Sequence, residues 1–367
     1  MENKKIRVAI THGDTNGIGY EMIFKAFAEP EMLELCTPII YGSPKAAAYH
    51  CKALEIESPF SIINSAEEAN NGCINLLPCF DDEVKIDMGK PTQESGDAAL
   101  KALDVSMTDF RQGAYDVLVT APVCNSNIKG EGFKFKGTGS YIETCIGKSK
   151  KGLTIYINNT MRIATVTNGI ALKDVSSKIT TETIITKAEI LFNALKRDFR
   201  LSSPRIAVLA LNPNANGTEE ENIIKPAIAK LVASGIKAFG PYPAEHFFGS
   251  TDYEAFDAIL AMYHDQGIIP LQTLSPSNNI CLLAGLPIVC TAPYCNNAFC
   301  TDKQQIADEN PLRQAIYLAI DTLRNRAEYD EPLDNPLKKL HHEKRDESEK
   351  VRFSIPKKHE HTSASDQ

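Results

Sequence analysis

The chain has 367 residues, 43% of them hydrophobic and 23% charged, with a formal net charge of -8. This is ordinary globular material, long enough for two domains or one large α/β unit. The acidic balance, with no long basic cluster in the body, excludes nucleic acid and anionic membrane as main partners and leaves small molecules as the expected ligands.

The first ten residues run straight into a strand-like pattern without the apolar stretch of a signal peptide, and nowhere do 18 apolar residues follow one another. A cytoplasmic protein is expected. Ile6–Ile10 reads as a strand, Thr11 to Gly19 as a glycine-rich turn and Tyr20–Phe27 as a helix. Free amides and the helix dipole at such a turn can hold an anion, which makes Asp14, Asn16 and Gly17 candidate cofactor contacts or plain turn residues. The spacing of Gly13, Gly17 and Gly19 matches neither GxGxxG nor a Walker loop.

Pro38–Tyr41 reads as the next strand and Lys45–Leu54 as the helix after it, setting a βαβ rhythm. Gly96–Phe110 is helical, and Asp116–Thr120 is a buried strand ending in Ala121–Asn125, at the carboxyl end where parallel folds keep their sites. Gly132–Gly139, with Phe133, Lys134, Phe135 and Lys136, is a glycine-bounded loop leading to a helix at Tyr141–Ile146. Leu153–Ile157 and Arg162–Thr167, separated by Asn158 and Asn159, form an antiparallel hairpin. Thr180–Phe199 is the strongest helix, and Ile206–Leu211 is a strand that stops at Asn212–Gly217. Glu219, Glu220 and Glu221 open a helix through Leu231, with acids in the first turn as its dipole prefers. Pro241–Gly249 reads as a loop.

An apolar run, Ala255–Leu260, leads into Ala261-Met-Tyr-His-Asp-Gln-Gly267. A base, a carboxylate and an amide meet there at one element's end, with Gly267 letting the backbone turn. His264 is then either a satisfied structural histidine in a loop or a metal ligand, with Asp265 as second ligand or orienting group. Asn279–Cys290 is apolar with a central turn, Pro311–Asn325 is a helix, and Lys338–Gln367 is a charged, partly disordered tail whose His341, His342, His359 and His361 are solvated. The ten cysteines lack CxxC spacing and read as reduced, mostly buried thiols; Cys290, Cys295 and Cys300 recur every five residues, wider than zinc pairs usually stand.

Five strand-end segments, in order, carry a resemblance. Gly13-Asp-Thr-Asn-Gly-Ile-Gly19, Thr120-Ala-Pro-Val123, Leu211-Asn-Pro-Asn-Ala215, Met262-Tyr-His-Asp-Gln-Gly267 and Gly285-Leu-Pro287 resemble the 4-hydroxythreonine-4-phosphate dehydrogenase family of pyridoxal phosphate biosynthesis. The resemblance spans roughly residues 5 to 330. It implies an α/β, two-domain isopropylmalate dehydrogenase-like fold with an interdomain cleft. The first unit would be residues 1–135 plus 295–335, the second, with the dimerisation and metal segment, 136–294, and 336–367 the tail. It also implies a homodimer, or a heterodimer with an active relative, NAD as cofactor, and a divalent metal (zinc, magnesium or cobalt) gripped by three histidines. The implied reaction oxidises a phosphorylated hydroxy amino acid, whose keto product loses carbon dioxide.

Residue by residue, much of that site is replaced. The family's metal histidines fall at Gly169, Asn214 and His264, so one imidazole survives, with Asn214 as a weak oxygen donor. The phosphate-side His and Thr are Thr138 and Gly139; a lysine falls at Gln272, an asparagine at Cys281 and an arginine at Cys290; Asn125 stands where a lysine is expected. A carboxylate position is Glu245, followed by His246. Outside the tail only His12, His50, His246 and His264 exist. The expected catalytic pair is His264 with Asp265, with Asp14, Asn16, Gly17 and Asn212 toward the cofactor. Two functions follow: an NAD-dependent dehydrogenase of this family, working on the family substrate or an altered one, and a catalytically degenerate paralogue serving as a binding or regulatory subunit.

Overall fold

The computed structural model describes residues 5–57, 59–80, 84–124, 127, 137–295, 298–299 and 307–336. Asn125, the Gly132–Lys136 stretch, Cys300 and the tail with its four histidines lie outside the described residues.

One twelve-stranded sheet runs through the molecule in the order β3-β4-β2-β1-β5-β12-β11-β6-β7-β10-β8-β9. The strands are β1 (Ile6–Thr11), β2 (Cys36–Gly42), β3 (Phe60–Ile62), β4 (Ile74–Pro78), β5 (Val117–Thr120), β6 (Leu153–Ile157), β7 (Arg162–Thr165), β8 (Arg205–Leu209), β9 (Lys237–Tyr242), β10 (Ala258–Ala261), β11 (Ile280–Ala284) and β12 (Cys290–Pro293). The first six in that order, through β12 on β5, pair in parallel, and so do the last four, β7 to β9. The pairs β12·β11, β11·β6 and β6·β7 are antiparallel. The expected hairpin is the last of these, and it lies in the joint between two parallel halves.

The helices are α1 (Gly19–Ala26), α2 (Pro30–Leu35), α3 (Pro44–Ala53), α4 (Gln93–Gln112), α5 (Thr138–Ile146), α6 (Val175–Lys178), α7 (Thr181–Arg197), α8 (Lys225–Ala233), α9 (Ala244–Gly249), α10 (His264–Leu274) and α11 (Asn310–Asp334). Strand alternation sorts the core into two faces. Val8, Ile10 and Ile155 pack on one face with α1, α3, α7, α8 and α11. Ala9, Ile39 and Leu118 face the other way toward α4 and α5, while Ile163, Ala207 and Ile259 face α9 and α10. Each fully buried Ile or Leu there contributes about 1.5–3 kcal/mol. Among the described residues no helix is long and apolar enough to cross a membrane.

Several boundaries differ from the sequence reading. α4 starts three residues before Gly96 because Thr92 and Ser95 form a reciprocal cap. The Glu219 helix begins as a wide turn over Glu220–Ile224; Pro226 has no N–H to return to Asn222, which breaks the normal bonding there. Pro241–Gly249 is the end of β9 followed by α9, not a loop. α11 runs nine residues past Asn325, and the extension includes buried Arg326. Gly267 does not turn the chain: it lies inside α10, where a β-carbon would stand 2.6 Å from Ile163 Cγ2, so its bareness lets α10 lie close on β7. The cysteines are free but not mostly buried: among the described ones Cys36, Cys51 and Cys290 are buried and the rest half-buried, at strand ends, on helix flanks or facing the cleft described next.

Candidate functional site

On the second face α5 packs on the first half of the sheet and α10 on the second, each reaching one side of the antiparallel joint between them. A cleft of about 810 Å³ lies over it. Its floor is made of the alternate residues of β6, β11 and β12 that point away from the main core, such as Tyr156, Cys281 and Cys290. One wall is the carboxyl end of β5, Thr120–Val123, with the start of α5, Gly137–Ser140; the other is Thr165–Ile170 with His264.

Tyr263 is the N-cap residue of α10 and His264 its first helical residue, so the histidine opens a helix, not a loop. Gln266 fixes this start: its Nε2 donates to Ala210 O at 2.6 Å and its Oε1 accepts from Met262 N at 2.7 Å. His264 Nδ1 is 2.9 Å from Asp265 Oδ1, and Nε2 is 3.4 Å from the Tyr294 hydroxyl. The imidazole stands edge-on to Tyr156, which in turn packs edge-on against Tyr294. Asn168 donates to the Tyr156 hydroxyl at 2.9 Å. The tautomer that carries its proton on Nδ1 toward Asp265 leaves the Nε2 lone pair on the cleft side. Burial pushes the Tyr294 phenol up to about 12, so it stays a neutral donor.

The positions that sequence comparison assigned to metal and substrate converge here: Thr138, Gly139, Gly169, His264, Cys281 and Cys290 all line this cleft. Gln272 is not on it, Asn214 is exposed on the loop after β8, and Glu245 and His246 stand exposed on α9. A three-histidine metal does not fit this donor set. Gly169 has no side chain, and among the described residues no group of three or more His, Cys, Asp or Glu side chains is gathered to hold an ion. Burial pushes the Cys290 and Cys295 thiols up to about 12 and 11, so they are not ready thiolates.

The other expected cofactor contacts do not line the cleft themselves, though the turn leans on Pro122 and Ala298, which do. Asp14 and Asn16 are buried. Asp14 accepts from Asn16 N at 3.1 Å and from Asn127 Nδ2 at 2.9 Å; Asn16 Nδ2 donates to Lys90 O and Thr92 Oγ1, and its Oδ1 accepts from Asp87 N. The amides of Gly17 and Ile18 donate to Asp14 O and Ala298 O, and a β-carbon on Gly17 would sit 2.5 Å from Ala298 O. The turn is tied to its own chain by these bonds, as a structural turn is.

Asn212 is also occupied. Glu220, buried, accepts from the amides of Leu211, Asn212 and Gly217 and from Asn212 Nδ2, at 2.8–2.9 Å. Burial works against its charge, but the Asn212 side chain and the loop amides outweigh it and hold the carboxyl below its ordinary range. Glu220→Ala is expected to cost about 1–3 kcal/mol of stability, since three amides lose their acceptor. Hydrogen exchange at Asn212 and Gly217 should accelerate together; unchanged protection there would contradict it.

His12 and His50 belong to the first half's core. His12 Nδ1 donates to Tyr41 O at 2.9 Å, its ring stacks on Tyr20, and its Nε2 has no partner among the described residues. Burial lowers its pKa from 6.5 to about 4, and burial lowers that of His50 too. Between those pH values the unfolded chain binds the proton and the folded one does not, so stability falls as pH drops from 6.5 toward 4, by about 3 kcal/mol for His12. Urea midpoints should fall across that window and fall less in His12→Phe; parallel profiles would refute the assignment.

Sequence reasoning missed Tyr156, Tyr294 and Lys187 as cleft residues. Tyr156 was recoverable from strand alternation, which sets it opposite Ile155; nothing local marked Tyr294.

Known proteins bear on this cleft. The family model described as pyridoxal phosphate biosynthetic protein PdxA matches residues 34–319. A 4-hydroxythreonine-4-phosphate dehydrogenase from Bacteroides thetaiotaomicron is 47% identical over 358 residues, 96% of this chain and 98% of that protein. One from Sulfurihydrogenibium is 32% identical over 86% of this chain and 98% of its own length. The crystal structure of the Klebsiella pneumoniae 4-hydroxythreonine-4-phosphate dehydrogenase superposes with a TM-score of 0.74 at 25% identity, covering 88% of this chain and 99% of that one.

Proposed function

The chain belongs to the pyridoxal phosphate biosynthetic protein PdxA family, and from that premise we propose that its cleft oxidises a small hydroxy acid, with His264 as the group that takes the hydroxyl proton. The observation that carries this reading is the setting of His264: Nδ1 on Asp265, Nε2 on the cleft side near Tyr294. Oxidation of an alcohol needs a hydride acceptor and a sink for the proton. NAD supplies the hydride acceptor when bound, and Thr120–Val123 at the carboxyl end of β5 is the wall that would hold its nicotinamide end. Asp14, Asn16 and Gly17 then act at a remove, by stiffening the turn behind that wall, and Asn212 by stiffening the loop after β8, whose Ala210 anchors the start of α10. Nothing is routed through a metal, because the donors at 169 and 214 do not serve one. Tyr294 and Asp265 orient the imidazole, and Tyr156 closes the floor beneath it.

In this reading the units are 1–135 with 295–335 and 136–294, the second unit lending β12 to the parallel half built on β5. A second copy of the chain is the expected partner, and α10 presents an apolar strip with exposed Ile269 and Leu274 beside Phe248 suited to it.

A second reading is favoured by the missing imidazoles at Gly169 and Asn214: a catalytically degenerate binding or regulatory subunit. NADH formation sorts the two. The purified chain is offered NAD with 4-hydroxythreonine-4-phosphate, then with unphosphorylated 4-hydroxythreonine, with and without zinc, magnesium or cobalt. NADH from either substrate supports the dehydrogenase and tells whether the substrate has changed; none under any condition, with ligand binding intact, leaves the degenerate subunit.

A further inference from the structure

We propose that Lys187 is the anion-holding residue of the cleft, gripping the carboxylate or phosphate of the small molecule bound there, with Lys178 as a weaker second cation at the rim. This deepens the small-molecule reading of the cleft and rests on it.

Lys187 lies on α7 and lines the cleft, as do Lys178 at the end of α6 and Thr183 between them. Among the described residues these two lysines are the only ammonium or guanidinium groups lining it, and Glu143 is its one carboxylate. The cations that the family resemblance would place on the opposite wall and floor are neutral here, at Thr138 and Cys290. A cleft built for a hydroxy acid must still meet a negative charge, and the charge available comes from α7.

The Lys187 ammonium donates to Gly152 O at 3.3 Å, and among the described residues it makes no ion pair within 4.0 Å. Glu143, the carboxylate within its electrostatic reach, already accepts from Gly152 N at 3.0 Å. Burial lowers the Lys187 pKa, Glu143 acting the other way and Lys151 adding to the lowering. A half-buried ammonium with two donors unspent gains more from an arriving anion than a solvated one does. Lys178 is exposed and screened, so its share is smaller. The start of α5 faces the same space and its dipole has the same sign.

The test uses the full chain and three probes in calorimetric titration: inorganic phosphate, O-phospho-L-threonine and L-threonine. Phosphothreonine affinity is expected to fall about ten-fold or more in Lys187→Met, to recover in Lys187→Arg, and to change less in Lys178→Met. Sensitivity of phosphate binding marks the phosphate as the gripped group; sensitivity of threonine binding marks the carboxylate. Should Lys187→Met misfold, wild-type Lys187 should be shielded from acetic anhydride by phosphothreonine, read by mass spectrometry. Unchanged affinity in Lys187→Met, no shielding, or no binding of any probe at millimolar concentration overturns the proposal. Parallel NADH assays separate it from the reaction. Lost anion binding in Lys187→Met with no wild-type turnover keeps the subsite and removes the dehydrogenase; turnover with the same KM in Lys187→Met does the reverse.

Discussion

Asp198→Ala is expected to lower the free energy of unfolding by about 3–5 kcal/mol, among the largest single losses this chain can suffer. Asp198 follows the last residue of α7 and Arg326 lies late in α11; their residues are 2% and 5% exposed. Arg326 Nε and Nη2 donate to the two carboxylate oxygens at 2.7 and 3.1 Å, and Nη1 donates to the carbonyls of Leu286, Pro287 and Ile288 at 3.1–3.2 Å. Asn325 adds a bond to Asp198 O at 2.8 Å. One guanidinium thus joins the end of α7, α11 and the turn between β11 and β12. Removing the carboxylate leaves a desolvated cation with neutral acceptors alone. Arg326→Ala strands the carboxylate and three carbonyls and should cost a similar amount. Exchanging both residues together for apolar ones should cost clearly less than the two single losses combined. Urea unfolding of the two single variants and the double measures this, and a single-variant loss below about 1 kcal/mol would show the pair to be dispensable.

His264→Ala is expected to cut turnover by about 100-fold or more while leaving NAD affinity in place. Alanine keeps the start of α10, because Gln266 and not His264 ties that start to Ala210 and Met262. It deletes the one imidazole that lines the cleft among the described residues, and Asp265, largely exposed, does not replace it. Tyr294→Phe should lose less, since it removes a partner of Nε2 and not the base itself. Steady-state kinetics with calorimetry of NAD binding reads both variants. Equal turnover in wild type and His264→Ala would take the proton sink away from His264.

What was legible in the chain follows the range of the interactions. β1, β5, the β6·β7 hairpin and α7 announce themselves through runs of Ile, Val and Leu at period two or 3.6, which local sequence carries in full. The strand ends that make the site were legible as motifs, and Thr138, Gly139, Gly169, His264, Cys281 and Cys290 do meet over one cleft. The Asp198–Arg326 pair was not, because its partners stand 128 positions apart and Arg326 sits in a stretch whose charge reads as surface. For Asp14, Asn16 and Asn212 the sequence left two roles open for a related reason: a polar residue at a strand end looks the same whether it meets a ligand or holds Asn127, Lys90 or Glu220, and the structure shows these internal bonds. Lys187 went unnoticed because it flanks the apolar stripe of α7, where a lysine is ordinarily a solvated neighbour.

The place of β12 sets an order of events during synthesis. When a ribosome has just completed Val289, β5 has long since emerged, yet its edge away from β1 still waits for Cys290 and Thr291. β11 waits on the same strand from the other side. Until the last quarter of the chain arrives, each half of the molecule carries an open, apolar strand edge, the kind of surface on which nascent chains stick to one another. Closure by β12 is a late, long-range step, so this protein's yield in the cell depends on how fast its C-terminal quarter follows, and on what shields those edges in the meantime.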